Sequence, residues 1–204
     1  MSNKLPPTVR KVARADPRVS RSTYALGRAL VELMLERDFD GITVQSILDR
    51  AGVGRSTFYA HYRNKRDVLH SSYERMFARL EQGLDSPSST GARLVPVTEF
   101  LAHVAQVGAF VDALRASGQL DELWELGVGY LARMIERRIV AAPGATPSVP
   151  RALVARMLAG ALMEMVRWWL DHQRASTPAQ MDVVFHELAR ATLRRASYEV
   201  AAAR

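Results

Sequence analysis

Between Arg55 and His61 the chain gathers a guanidinium, two hydroxyls, a phenol and an imidazole, on Arg55, Ser56, Thr57, Tyr59 and His61. No nucleophile stands beside a base there, and nothing nearby has the form of a phosphate loop or a metal set. The chemistry on offer is hydrogen bonding rather than bond making. Arginine can hold guanine O6 and N7 together, hydroxyls reach phosphates or bases, and Thr57 can also present a methyl to thymine. Any exposed helix carrying Arg, Ser and Thr can equally be a solvated face. The elements that position these side chains must decide.

Those elements read as two short helices around a glycine turn. Thr43 can cap a helix that carries Val44, Ile47, Leu48 and Ala51 on its inner side. Gly52 ends it, because a sharp reversal between packed helices needs a residue at ease with positive φ. From Gly54 a second helix is expected over residues 55–62, anchored by Phe58 and Tyr62 at i and i+4, with the polar set on its other side. Asn64 caps a third helix whose first turn holds Lys65 and Arg66, where the helix dipole disfavours cations by about 0.3 to 1 kcal/mol each. A phosphate would remove that conflict by accepting from the free amides and pairing with Lys65.

The run Ile42-Thr43, Ala51-Gly52-Val53, Ser56-Thr57-Phe58-Tyr59, His61-Tyr62 and Lys65 resembles the helix-turn-helix signature of the tetracycline-repressor (TetR) family. The resemblance covers roughly the first third of the chain. It implies that the second helix reads double-stranded DNA, a palindromic operator bound by a dimer. We assign Thr43, Gln45, Arg55, Ser56, Thr57, Tyr59, His61 and Lys65 as its DNA contacts.

The charge is placed as such a reader needs it. The net charge is +7; residues 1–66 hold 13 Lys+Arg against 6 Asp+Glu, while residues 67–204 hold 15 of each. The whole excess sits on one segment, as counterion release from DNA requires. The same segment lacks the Trp/Phe/Leu face of an interfacial helix, so no membrane partner is expected. Without cysteine there is no disulfide, thiolate metal site or cysteine nucleophile. The amino end lacks an apolar signal core, and we expect a cytoplasmic protein. The five histidines show no ligand spacing, so neither metal nor cofactor is expected.

In chain order, residues 1–19 read as a basic flexible arm broken by Pro6, Pro7 and Pro17, able to lie along phosphates or enter the minor groove. Residues 20–66 form a three-helix DNA-binding domain, opened by a helix over 20–37 with Leu26, Ala29, Leu30, Leu33 and Met34 on one face. Residues 67–204 form a larger helical regulatory and dimerisation domain. A linking helix runs to Gly83-Leu84 and is followed by a loop at 86–91. Further helices are expected at 94–116, 121–140, 150–172 and 177–196, with no strand-like alternation, so the fold class is all-α.

The helix from Pro150 is apolar nearly all round, and the last helix carries Met181, Val184, Phe185, Leu188 and Ala191 as a stripe. Arg156, Glu164 and Arg167 argue against a membrane span. A four-helix interface between two copies is the economical reading, with Leu158, Met165, Trp169, Phe185 and Leu188 at its centre. The family resemblance implies the same interface, and Trp168-Trp169-Leu170 resembles one subgroup's regulatory domain. Phe100, His103, Phe110, Trp124, Tyr130, Met134, Met163, Glu164 and Trp168 are candidates to line a ligand cavity. On pattern alone such residues also serve as plain core.

Together these features describe a dimeric, ligand-responsive transcription regulator rather than an enzyme. The resemblance implies a repressor released from its operator by a small, mostly apolar effector. The alternative is a basic dimeric DNA-binding module without an effector.

Overall fold

The computed structural model describes residues 17–84, 93–172 and 175–201, with side chains from Ser20 onward. The helix α1 spans Pro17–Glu36. Pro17 opens it rather than breaking it, since an N–H at the first helical position has no intrahelical partner to lose. The arm expected over residues 1–19 is thereby corrected at its last three residues; the rest of it lies outside the described residues.

A 3-10 turn at Phe39–Gly41 reverses the chain and leads through Thr43 into α2, Val44–Ala51. The Thr43 side chain accepts from Ser46 N at 3.1 Å, and Ser46 Oγ accepts from Thr43 N at 3.1 Å, so two free amides are satisfied reciprocally. Gly52 ends the helix in the left-handed region, φ 64°. The next helix, α3, is only Arg55–Tyr59, and the chain finishes as a turn to Tyr62. It is shorter than expected because Asn64 already starts the following helix, accepting from Asp67 N at 3.0 Å.

That following helix, α4 (Lys65–Leu84), belongs to both halves of the molecule. Val68 and Leu69 complete a small core with Leu26, Leu30, Leu33, Phe39, Ile47 and Phe58. Farther along, Phe77 and Leu84 enter a second, larger core. The loop expected at 86–91 lies outside the described residues.

The larger core is built by α5 (Val97–Gln106), α6 (Gly108–Ala116), α7 (Leu120–Arg138), α8 (Arg151–Asp171) and α9 (Pro178–Arg195). The single helix expected at 94–116 is two, bent by 73° at Val107. Phe110 N and Val111 N turn to the Val107 carbonyl at the break. Thr177 caps α9 by a second reciprocal pair, with Gln180, and Pro178 follows it in the first turn.

The absence of strands is also corrected: β1 (Ile139–Ala141) pairs antiparallel with β2 (Tyr198–Val200). Three residues are too few to show alternation in a sequence. Tertiary contacts hold the ribbon, with Ile139 fully buried and the Tyr198 hydroxyl donating to Val149 O at 2.6 Å. No single helix among the described residues is long and apolar enough to cross a membrane.

Helices α4, α7 and α8 meet at Gly127. A Cβ there would lie 2.7 Å from Tyr73 Oη and 3.0 Å from Met163 Cε. Gly127→Ala is therefore expected to destabilise the protein by about 1–3 kcal/mol, the usual cost of overpacking, as read from its urea midpoint at constant m.

Candidate nucleic-acid interface and ligand cavity

The short helix α3 stands on Phe58, fully buried, and Tyr62, nearly so. Anchored from below, it turns Arg55, Ser56 and Tyr59 outward, with Tyr59 54% exposed and set edge-on against Phe58 at 5.2 Å. Thr57 is half-buried and His61 exposed. Arg55 Nη2 donates to Gln45 Oε1 at 2.7 Å, and Gln45 Nε2 donates to Asp49 Oδ1 at 2.7 Å. That chain ties α2 to α3 on the outer surface. Behind it, Arg50 grips Glu36 with both nitrogens at 2.8 Å and fixes α2 on α1. The hydrogen bonds from Arg50 hold the Glu36 carboxyl below the ordinary carboxylate range.

Lys65 has a different role from the one expected. Its Nζ donates to the carbonyls of Phe39 at 2.6 Å, Asp40 at 3.0 Å and Ile42 at 2.8 Å, above the Phe39 ring. A lysine has three N–H donors, and all three are used. Without DNA it is a clamp on the turn before α2, with no donor left over for a phosphate. Arg66 is taken up as well, at 2.8 Å from Glu122 on α7. Internal partners thus offset the dipole conflict at the start of α4.

The cavity is a space of about 410 Å³ between α1, α4, α5, α6, α7 and α8. Phe100, His103, Phe110, Trp124 and Met163 line it, as expected. Four candidates do not. Tyr130 stacks on Phe77 at 5.4 Å, Met134 is buried core, Glu164 is exposed, and Trp168 is 46% exposed and stacked on His172. Helical periodicity places a residue on a face but does not say what that face meets.

Sequence reasoning missed the contribution of α1 and α4. Tyr24, Gly27, Arg28 and Val31 line the cavity from the first, and Ser72, Arg75, Met76 and Arg79 from the second. One signal was available: a glycine inside a helix costs about 1 kcal/mol relative to alanine. At Gly27 a Cβ would collide with Ser72 Oγ, so the residue permits close approach of α1 to α4. Burial, followed by the Arg79 charge, pulls His103 below the ordinary imidazole range. Among the described residues no three His, Asp or Glu side chains converge as metal ligands would.

The expected dimer residues divide. Leu158, Trp169 and Phe185 are buried inside the chain's own core, so they cannot face a partner; Met165 is half-buried and Leu188 exposed. The apolar surface left open by α8 and α9 is instead Leu153, Met157, Val183, Val184 and Leu188, with Trp168 at one end.

Comparison with known proteins agrees with this architecture. Residues 28–71 match the family described as bacterial regulatory proteins, tetR family. The chain is 35% identical over 80 residues to an uncharacterized HTH-type transcriptional regulator, YxbF, of Bacillus subtilis (strain 168), covering 39% of this chain and 21% of the relative. It is 29% identical over 136 residues to a second such regulator of that strain, YdeS, covering 64% and 66%. The matched part is thus about a fifth of one curated relative and just under two thirds of the other. The crystal structure of a TetR-family regulator from Streptomyces coelicolor A3 has the same fold, with a TM-score of 0.59 at 21% identity over 88% of this chain and 97% of that one.

Lys65→Met should lower the unfolding free energy by about 1–3 kcal/mol, because three carbonyls lose a charged donor. If Lys65 were a phosphate contact, the salt dependence of DNA binding would also flatten by about one charge. Denaturant titration together with binding at several salt concentrations separates the two roles.

Proposed function

We propose that this chain is a member of the tetR family of bacterial regulatory proteins, whose model it matches over residues 28–71, and that it is a dimeric, effector-responsive DNA-binding transcription regulator acting as a repressor. The observation that carries this reading is α3, a five-residue helix whose apolar side is buried and whose polar side is presented outward. In this reading Arg55, Ser56, Thr57, Tyr59 and His61 enter a major groove, Gln45 supports or joins Arg55, and the capped start of α2 at Thr43 receives a phosphate. Exchanging the Gln45 bond of Arg55 for a guanine edge keeps that Nη2 donor paired and frees the Gln45 carbonyl to water. The cation excess of residues 1–66 supplies the salt-dependent attraction.

The open apolar surface of α8 and α9 supports pairing of two copies there. A dimer fixes the distance between two reading helices, and so the spacing of operator half-sites. The cavity of about 410 Å³ lies within the range of roughly 300–1,000 Å³ for small-molecule sites, and favours the effector-responsive reading over a module that only dimerises. An effector that prefers a dimer whose reading helices no longer match the groove spacing by about 1 to 3 kcal/mol would change operator affinity 5- to 150-fold.

Selection and sequencing of genomic fragments retained by the purified chain tests the reading directly: one enriched palindrome is expected, and uniform retention contradicts it. With that DNA, Tyr59→Ala should cost about 1–3 kcal/mol of selective affinity while the melting temperature stays unchanged. Unaltered affinity would remove α3 from the interface.

The paired substitution Met157→Glu with Leu188→Glu should give folded monomers of weakened operator affinity. Leu158→Glu should unfold the chain instead, since Leu158 is core. Light scattering and far-UV circular dichroism distinguish these outcomes, and a folded dimer in the double variant would move the interface elsewhere.

A further inference from the structure

The charged side chains that line the cavity have one sign. Arg28, Arg75, Arg79 and His103 line it, and among the described residues no aspartate or glutamate does. Arg28 has Glu32 at 3.3 Å and is largely in solvent. Arg75 is half-buried, and its fork is spent on neutral oxygens. Nη1 donates to Tyr62 Oη at 3.2 Å and Ser71 Oγ at 2.6 Å; Nη2 donates to Thr23 O at 3.3 Å and Ser72 Oγ at 2.8 Å. Arg79 lies over the Tyr24 ring at 5.4 Å, and among the described residues no carboxylate pairs with it. Tyr24 is 53% exposed, so this cluster is reached by solvent, whereas the lining residues Leu123 and Met163 are buried.

Guanidinium groups that face an apolar space without an acid present a standing positive potential to whatever enters it. We infer that the cavity takes an amphiphile with a single anionic head group, received by Arg79 and the Arg75 fork beside Tyr24, with its apolar body along Phe110, Trp124 and Met163. Carboxylate, sulfonate and phosphate monoester heads share this chemistry. A carboxylate or phosphate head adds the attraction of opposite charges and a bidentate fit, neither of which the neutral hydroxyls now on Arg75 supply. The head group therefore competes with Tyr62 Oη for Arg75, and Tyr62 is one of the two anchors of the reading helix. This inference rests on reading the cavity as an effector site and adds the class of effector.

Decanoate, decanol and protonated decylamine share one chain and differ only in the head. Each is titrated calorimetrically into the full-length protein at neutral pH, with and without the DNA selected as above. Decanoate is expected to bind at least about tenfold tighter than decanol, the worth of one charge-assisted pair, with decylamine weakest, and to lower DNA affinity. Arg79→Leu, at an exposed position, should erase the decanoate preference and keep the decanol affinity, while Arg79→Lys should restore part of the preference. The inference is overturned if decanol or decylamine binds as well as decanoate, or if the preference persists in both Arg79→Leu and Arg75→Gln. Release of DNA by decanol alone would overturn the anionic head and leave the effector-responsive regulator standing. Failure of all three probes to bind would overturn the inference and the effector reading together, and DNA affinity in the same titrations reports separately on the reading helix.

Discussion

A helix of five residues has too few internal hydrogen bonds to offset its own nucleation, so α3 exists only because something else holds it. That support is the burial of Phe58 and Tyr62 on a wall made by α1, α2 and the first turns of α4. The outward polar side chains inherit their geometry from the inward aromatic ones. Every element before residue 70 contributes to that wall: α1 supplies its leucines, the turn at Phe39 closes one end, and Lys65 ties the turn carbonyls to the start of α4.

The second constraint is that α4 serves two cores at once. A helix rooted by Val68 and Leu69 in one core and by Phe77 and Leu84 in the other cannot shift without disturbing both. The cavity lies beside this helix and also touches α1, so an occupant would meet the scaffold of α3 directly, without a long relay. Arg75 is the most economical connection, because one guanidinium reaches α1 at Thr23, α4 at Ser71 and Ser72, and the Tyr62 anchor. His70 and Arg66 both approach Glu122 and join the same helix to α7.

The last two helices show how composition can be read correctly and faces misassigned. Helix α8 is apolar nearly all round: one side packs on α7 and the large core, and another is left open at Leu153, Met157 and Trp168. Ala155 and Ala159 are fully buried, so the small residues permit close approach within the chain. Arg93 draws Glu99 and Asp182 together near the start of α9, at 2.8 and 2.7 Å, and lowers the Glu99 carboxyl through its hydrogen bonds. That network joins α5 to α9 on the side away from the open apolar surface.

The sequence alone determined what local chemistry dictates. Thr43 and Thr177 as caps, Gly52 as a left-handed turn, Phe58 and Tyr62 as one helical face, and the helical character of the whole all follow from spacing and residue type, because those signals act within a few residues. Tertiary structure decided everything that depends on which surfaces meet. It broke the helix at Val107, paired Ile139–Ala141 with Tyr198–Val200, sent Leu158, Trp169 and Phe185 inward and Trp168 outward, and brought α1 into the cavity wall. It also turned Lys65 from a free cation into a clamp, since the three carbonyls it holds lie more than twenty residues away. A periodic pattern records that a face is apolar or charged; the partner it packs against is set by the path of the whole chain, which no local spacing encodes.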